Sequence, residues 1–289
     1  MTRKDPIRNP LEWSVDQLKS ANEAVERAGH SLVSSDRDAP LPAVRRIELA
    51  DLKDVLARGL GDFGAYRTDV MFLCIMYPLA GLVLAWLAFD HDLLPLLFPL
   101  ASGFALVGPV AAVGLYEISR RREQGVDITW ADAFGVVRAP AFGAILMLGL
   151  LLLAIFLLWL AAAYGIYLVT LGPEPPASIG AFVRDVFTTG AGWALIVVGV
   201  AVGFLFALLV LTISVVSFPL LLDRDVGLYA AVATSVRAVA TNPVPMAAWG
   251  LIVAGGLVLG SLPVLLGLVI VMPVLGHATW HLYRKVVPR

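Results

Sequence analysis

Two histidines near the carboxyl end of the chain have a spacing that suits metal binding. His277 and His281 are four residues apart, and on an α-helix this separation places both imidazoles on one face. A zinc or copper site needs at least one further ligand, whereas the other histidines, His30 and His91, lie in a polar segment and in a loop between apolar blocks. We therefore expect no metal, haem or other cofactor at this pair, and interpret it as interfacial side chains beside Trp280.

No other set of residues has the types and order of a catalytic site. The sequence contains neither a Ser-His-Asp ordering nor a glycine-rich phosphate loop followed by lysine and Ser or Thr. The single cysteine, Cys74, excludes a framework of internal disulfides. There is no basic face with interleaved aromatics of the kind that binds nucleic acid. We interpret the Asp and Glu residues of the polar segments as solvated helix faces, and expect that the protein is not an enzyme.

The elements that must carry these residues are apolar enough to cross a membrane. The chain is 59% hydrophobic and only 15% charged, with a mean hydropathy of +0.85, which is typical of membrane proteins. A helix needs about 20 apolar residues to cross the hydrocarbon core, and uncharged blocks run over about 70–89, 93–116, 140–170, 190–222 and 244–283. The last block is long enough for two spans around Ser261-Leu262-Pro263. These lengths predict an all-α membrane protein with six transmembrane helices.

The basic residues predict how these spans are oriented. Six spans place twenty of the 21 Lys and Arg residues on one side of the membrane and only Arg184 on the other. Basic loops stay in the cytoplasm, so we expect a multi-pass protein of the bacterial inner membrane with both termini cytoplasmic. Asp69, Glu117, Asp223 and Arg284 lie at the ends of the predicted spans rather than inside them. Proton- and ion-coupled transporters carry ionisable residues within their spans, so this pattern argues against that class.

The polar segments suggest how the chain is organised. Residues 1–45 are rich in charged residues, Ser and Pro and predict a flexible cytoplasmic tail, followed by a transmembrane domain over 46–289. From Ile47 to Phe63 the spacing predicts an amphipathic helix whose apolar line is Leu49, Leu52, Leu56, Leu60 and Phe63. Its acidic polar face favours packing on the bundle over anionic lipid. Similar segments at 128–138 and 226–242 predict three membrane hairpins, each preceded by a cytoplasmic amphipathic helix.

Small residues recur at four-residue spacing within the apolar blocks. Gly199 and Gly203 form one such pair, and Gly256 and Gly260 form another. This spacing lets two helices approach closely in a membrane. The glycines, together with Leu52, Leu56 and Leu60, therefore predict contact surfaces either within the bundle or with another subunit.

Several segments resemble a known family. They are the Ile47–Phe63 helix, Gly108-Pro109, the junction Ser217-Phe218-Pro219-Leu220-Leu221-Leu222-Asp223-Arg224-Asp225 and the stretch from Pro273 to Arg284. Over about residues 45–287 the chain resembles a bacterial family of predicted integral membrane proteins, domain of unknown function 2189. The resemblance implies no established activity, although some members carry the name cytochrome c oxidase. A haem-copper catalytic subunit needs histidine ligands on several inner spans, and here only His277 and His281 lie in one.

Two hypotheses about function remain open. The first is a non-catalytic accessory, assembly or scaffold protein of a membrane complex, with the lipid bilayer, other subunits or further copies of itself as partners. It rests on the uncharged spans, the lack of a catalytic constellation and the small-residue faces. The alternative is a channel or carrier for a neutral or lipid-like solute.

Overall fold

The computed structural model describes residues 41–75, 78–79, 81–83, 86, 93–126, 135–137 and 139–289. In these residues the regular secondary structure is helical throughout, which confirms the all-α class. The predicted tail and the predicted segment at 128–138 lie almost wholly outside the described residues, as does much of the first apolar block. The α-helices, in chain order, are α1 Leu49–Cys74, α2 Leu97–Ala111, α3 Val113–Glu123, α4 Phe142–Thr170, α5 Ile179–Thr188, α6 Gly190–Ser214, α7 Ser217–Asp223, α8 Leu228–Thr241, α9 Pro243–Ser261 and α10 Leu268–Val286.

Four stretches of the described chain are long and apolar enough to cross a membrane. They are Leu94–Glu123, Phe142–Thr170, Gly190–Asp223 and Pro243–Ser261. The first joins a short 3-10 helix, Leu94–Leu96, to α2 and α3, and the third joins α6 to α7. A multi-pass membrane protein is therefore confirmed. The arrangement of six spans as three hairpins stays a prediction.

Helix α10 is the central element of the bundle. It contacts α1, α3, α7 and α9, and its fully buried side chains include Trp280 and Tyr283. Lys285 pairs with Asp51 at the start of α1, while Ala278 faces Gly59 two turns further along, so α1 and α10 run antiparallel. A Cβ built on Gly59 would lie 2.7 Å from the Ala278 backbone nitrogen. Only glycine allows the two helices this approach.

Helix α1 differs from the predicted amphipathic helix in two ways. It continues without a break past Phe63 to Cys74, because no proline or capping residue interrupts it. Its buried line also departs from the predicted row of leucines: the buried residues are Leu52, Val55, Gly59 and Asp62, whereas Leu60 is 57% exposed. The physical reason is the close contact at Gly59, which turns the neighbouring small and acidic side chains toward α10 and turns Leu60 away.

Helix α8 supplies hydrogen bonds to the backbone where the chain is interrupted between α6 and α7. Pro219 in the first turn of α7 has no N–H to donate, and the helix is interrupted at Val215 and Val216. The hydroxyl of Ser235 donates to the carbonyl of Thr212 (2.8 Å) and accepts from the amide of Val216 (3.3 Å). Such bonds are needed because an unpaired buried backbone group is costly. The buried face that brings them is made of small residues: Ala231, Thr234, Ser235 and Ala238.

Charged residues from four separate segments meet at one end of the bundle. Arg284 pairs with Glu123 (3.0 Å) and Asp223 (3.1 Å), and Lys285 pairs with Asp51 (2.8 Å). The amide of Arg45 donates to the carbonyl of Val286 (2.8 Å). These contacts join residues 45–62, 117–123, 223–225 and 284–289, which together are called the charged face. They are segments that the basic-residue pattern predicts on one side of the membrane.

The opposite end of the bundle is reached by α4 and α6. The 29 residues of α4 extend about 43 Å at 1.5 Å per residue, from the charged face to the polar loop 171–178. Helix α5 follows that loop and is capped by Ser178, whose hydroxyl accepts from the amide of Ala181 (3.1 Å). It exposes an apolar row formed by Ile179, Val183 and Phe187. Helix α6 then returns to the charged face.

Candidate functional site

A buried carboxylate lies between three helices. Asp62 of α1 is 5% exposed and faces α3 and α10. Its Oδ2 atom accepts hydrogen bonds from the Ser119 hydroxyl (2.6 Å) and from His281 Nε2 (2.9 Å). Its Oδ1 atom accepts from Arg122 Nη1 (2.5 Å). Burial disfavours the charged form of Asp62, but the hydrogen bonds from His281 and Ser119 prevail and hold its pKa below the usual value.

His277 extends this set of contacts into the bundle. Its Nδ1 atom lies 2.8 Å from Ser119 Oγ. Because Ser119 has one hydrogen and donates it to Asp62, Nδ1 must carry a proton and donate to Ser119. Among the described residues, His277 Nε2 is the one buried side-chain polar atom without a hydrogen-bond partner. We call these five residues the polar network: Asp62, Ser119, Arg122, His277 and His281.

The polar network corrects two sequence-based interpretations. Asp62 does not lie on a solvated helix face, and neither does Glu117, which is 2% exposed and pairs with Arg120 and Arg121. His277 is fully buried rather than placed at the headgroups. Helical spacing reveals which side chains share a face but does not reveal what packs against that face, so the sequence alone places the histidines at the interface.

The polar network joins three helices through hydrogen bonds. The carboxylate already accepts from three donors, and Ser119 is 1% exposed, so no substrate can reach its hydroxyl. Within the described part of the chain, no group of three or more His, Cys, Asp or Glu side chains has metal-binding geometry. What the arrangement can do is hold α1, α3 and α10 in one register, since a buried charge is tolerated only with its partners in place.

A larger feature of the bundle is an apolar cavity. It has a volume of about 430 Å³, which falls in the range of small-molecule sites. Of the described residues that line it, none carries a charge. Its walls are the facing sides of α2, α3, α6, α9 and α10, and residues that characterise it are Pro109, Phe204, Leu211, Trp249, Leu257 and Met272.

Hydroxyl groups mark one end of this cavity. Tyr116, Ser214 and Thr279 lie among its lining residues. Ser214 donates to the carbonyl of Val210 (2.6 Å) and Thr279 to that of Leu275 (2.7 Å). The hydrogens of these two hydroxyls are thus engaged within the protein, and their oxygen lone pairs are what they offer a ligand.

The cavity opens on the outer surface of the bundle. Phe204 and Leu208 of α6 line it and are 62% and 43% exposed, and Leu251 of α9 lines it and is 73% exposed. Helices α6 and α9 approach each other at one point, where a Cβ built on Gly250 would lie 3.2 Å from Leu211 Cδ2. In a membrane, the exposed side of these apolar helices faces lipid, so the opening is lateral.

Comparison with known proteins agrees with the resemblance of the sequence. Residues 97–223 match the predicted integral membrane protein family, domain of unknown function 2189. The matched segment runs from α2 to α7 and includes Tyr116 and Ser119. It is narrower than the 45–287 resemblance, since α1, α9 and α10 lie outside it. No curated protein and no solved structure matches the chain.

The predicted contact residues lie in several environments. Leu52 is 3% exposed, Leu56 is partly buried and Leu60 is exposed. Gly203 of α6 faces the Trp159 ring of α4, 3.0 Å from a built Cβ. For Gly199 no atom lies within 4 Å of a built Cβ.

The second predicted glycine pair lies where α9 packs against α10. A Cβ built on Gly256 would lie 3.2 Å from Leu275 Cδ1, and one built on Gly260 would lie 2.9 Å from Leu268 Cδ2. These two glycines therefore contact a neighbouring helix inside the bundle.

The residues that sequence reasoning missed are Asp62 and Ser119. A signal for Asp62 was present, because Leu52, Val55 and Asp62 follow one another at steps of three and seven residues and so share a helix face. For Ser119 no comparable signal exists. It lies between charged residues at the end of an apolar block, where solvent exposure is the ordinary expectation.

Proposed function

We propose that this integral membrane protein is a carrier that binds an uncharged, lipid-like solute in its lateral cavity. The observation that carries the proposal is an apolar space of about 430 Å³ that opens toward lipid and has hydroxyl groups at one end. Fully buried side chains, among them Phe218, Trp280 and Tyr283, fill the bundle near the charged face. This favours a binding site over a continuous channel.

The hydroxyl end determines which solute the cavity would select. An acyl chain gains little by moving from the bilayer into an apolar protein site, because both surroundings are equally apolar. Selectivity must then come from the polar end of the ligand. Uncharged oxygens of Tyr116, Ser214 and Thr279 suit a hydroxyl donor, whereas a charged headgroup would lose its hydration without gaining a partner.

The orientation of the protein is part of the proposal. The charged face collects basic residues from both terminal segments and from two interhelical segments, and basic segments stay in the cytoplasm. We therefore propose that both termini are cytoplasmic in a bacterial inner membrane. The cavity mouth would then be open to lipid between α6 and α9.

The test uses photoreactive long-chain probes on the purified protein in detergent. One probe ends in a hydroxyl and its matched control ends in a methyl group. We expect stronger labelling by the alcohol, by about fivefold, since one hydrogen bond contributes about 1 kcal/mol and 1.4 kcal/mol is a factor of ten. Thr279→Val should abolish the preference while leaving alkane labelling unchanged. Equal labelling of the wild type by both probes would refute the assigned selectivity.

A filling variant tests the cavity itself. Ala254 lines the cavity on α9, while Leu259 lies on the same helix, is 66% exposed and is not part of the lining. Ala254→Trp should block labelling by both probes, and Leu259→Trp should not. If the two tryptophan variants are labelled alike, the probes bind elsewhere and the carrier proposal fails.

An accessory role is supported by a different observation. Leu49 and Leu60 of α1 are 52% and 57% exposed, and exposed apolar side chains on one helix are available to contact another protein. We propose Leu60 as a contact for another subunit. The wild type purified from native membranes should retain a stoichiometric partner, and Leu60→Asp should lose it at unchanged yield. Purification of the wild type alone would remove this candidate.

A further inference from the structure

The hairpin of α9 and α10 begins and ends at the charged face. The side chain of Asn242, just before α9, accepts from the amide of Ile47 (2.8 Å) and donates to the carbonyl of Arg45 (3.1 Å). Lys285, in the last turn of α10, pairs with Asp51. Each leg of the hairpin has 19 residues and is about 28 Å long. The connecting residues 262–267 form the hairpin tip.

The hairpin tip does not reach as far as the ends of α4 and α6. Gly250 of α9 lies level with Leu211 of α6, where the two helices touch. Beyond that level α9 continues for 11 residues to Ser261, whereas α6 continues for 21 residues to Gly190. At 1.5 Å per residue the tip falls about 15 Å short of the end of α6. Half of a hydrocarbon core is also about 15 Å.

The composition of the hairpin tip matches this depth. Leu262, Val264 and Leu266 are 73%, 68% and 65% exposed, and no polar residue separates them in the sequence Leu-Pro-Val-Leu-Leu. The loop between α4 and α5, which lies at the far end of the bundle, reads Gly-Pro-Glu-Pro-Pro-Ala-Ser over 172–178. The latter is typical of a loop in water. The hairpin tip has the composition of a segment surrounded by hydrocarbon.

Three amides of the hairpin tip donate to nearby backbone carbonyls. Leu262 donates to Val258 (3.2 Å), Leu265 to Ser261 (3.1 Å) and Leu266 to Pro263 (3.0 Å), and Pro263 has no N–H to satisfy. Val264 and Leu265 adopt positive φ angles of 52° and 65°, a conformation that residues other than glycine rarely adopt. Backbone groups in hydrocarbon require internal partners, and these three hydrogen bonds supply part of them.

We propose that α9 and α10 form a re-entrant hairpin that enters the membrane from the charged face and turns inside the hydrocarbon core. Residues 262–266 are then a contact surface for lipid acyl chains rather than an extramembrane loop. This inference does not rest on the proposed ligand. It changes the last two of the six predicted spans into one element that does not cross, and it leaves both termini on the same side.

Cysteine accessibility distinguishes a re-entrant hairpin from two crossing helices. In a Cys74→Ser background, single cysteines are placed in the tip (Val264→Cys), in the far loop (Ser178→Cys) and at the charged face (Gln124→Cys). An impermeant maleimide is applied to intact cells and to inverted vesicles. We expect Ser178→Cys and Gln124→Cys to react from opposite sides. Val264→Cys should react at least tenfold more slowly than either control from both sides, and fully after denaturation in detergent.

A depth measurement makes the same test independent of reaction rates. A small fluorophore attached to the tip cysteine in reconstituted vesicles should be quenched most by lipids brominated near the middle of the acyl chain. Leu266→Cys serves as a second tip position in case Val264→Cys disturbs the turn. Reaction of either tip cysteine as fast as Ser178→Cys, from the same side, would overturn the proposal. So would maximal quenching by lipids brominated at the headgroup.

Discussion

Replacing Asp62 by asparagine tests whether the polar network clamps the bundle. The carboxylate accepts from Ser119, His281 and Arg122, and each hydrogen bond to a charged group contributes about 1.5–3 kcal/mol. The Arg122 side chain is 38% exposed, so its share is reduced by solvent. Asparagine keeps one acceptor oxygen but turns an NH2 group toward a donor. We therefore expect Asp62→Asn to lower the free energy of unfolding by about 3 kcal/mol, close to the cost of breaking a buried pair.

The assay is unfolding in mixed micelles by increasing the fraction of a denaturing detergent, followed by tryptophan fluorescence. The matched control is Asp54→Asn on the same helix. Asp54 pairs with Arg58 and Lys285, but its side chain is 42% exposed, so its loss should cost no more than about 1 kcal/mol. Equal destabilisation by the two substitutions would refute the clamp.

The pH dependence provides a second readout of the same residue. Because the folded-state pKa of Asp62 is lowered, its contribution to stability is present above the unfolded-state pKa of about 3.9 and is lost as pH falls through the folded value. The stability difference between wild type and Asp62→Asn should therefore be constant near neutral pH and shrink below about pH 4. A difference that grows on acidification would contradict the assigned direction.

The remaining predictions concern packing, capping and metal content. Gly59→Leu should prevent α1 from docking and abolish folded, detergent-extracted protein, whereas Gly61→Leu, which has nothing within 4 Å of its Cβ, should leave the yield unchanged. Ser235→Ala removes the hydroxyl that bonds the backbone at the break between α6 and α7, and it should lower the free energy of unfolding by about 1–3 kcal/mol. Thr212→Val loses only a hydrogen bond within its own helix and should lower the free energy of unfolding by less. Elemental analysis should find no stoichiometric transition metal, and one that is lost in His277→Ala would contradict this.

The membrane helices could be predicted because composition alone determines them. The blocks at 140–170 and 190–222 contain no charge, and the structure has α4 and α6 in these blocks. The turn near Ser261 was also predictable, since α9 ends at that residue. The depth of the hairpin tip in the membrane could not be predicted in the same way. A hydropathy pattern records that residues 262–266 are apolar, but it does not record how far neighbouring helices extend past them.

The polar network could not be predicted because the apolar pattern of α1 favours a face that the structure buries only in part. The leucines form the most regular apolar line, and a helix is ordinarily expected to bury such a line. The structure instead buries the face containing Gly59, because the absence of a side chain there permits backbone contact with α10. That contact brings Asp62 inside, where Ser119 and His281 from two other helices compensate its charge. The partners that stabilise Asp62 are distant from it in sequence, so no local sequence pattern predicts them.

The polar network and the cavity share the same two helices. Tyr116 and Ser119 are three residues apart on α3 and so lie on one face, and His277 and Thr279 are both on α10. Ser119 binds His277 and Asp62 at one level, and Tyr116 meets Thr279 at the hydroxyl end of the cavity. The polar network thus sets the distance between α3 and α10, the two helices that form the polar end of the cavity. A carrier needs such a fixed end, because its apolar walls cannot distinguish one lipid chain from another.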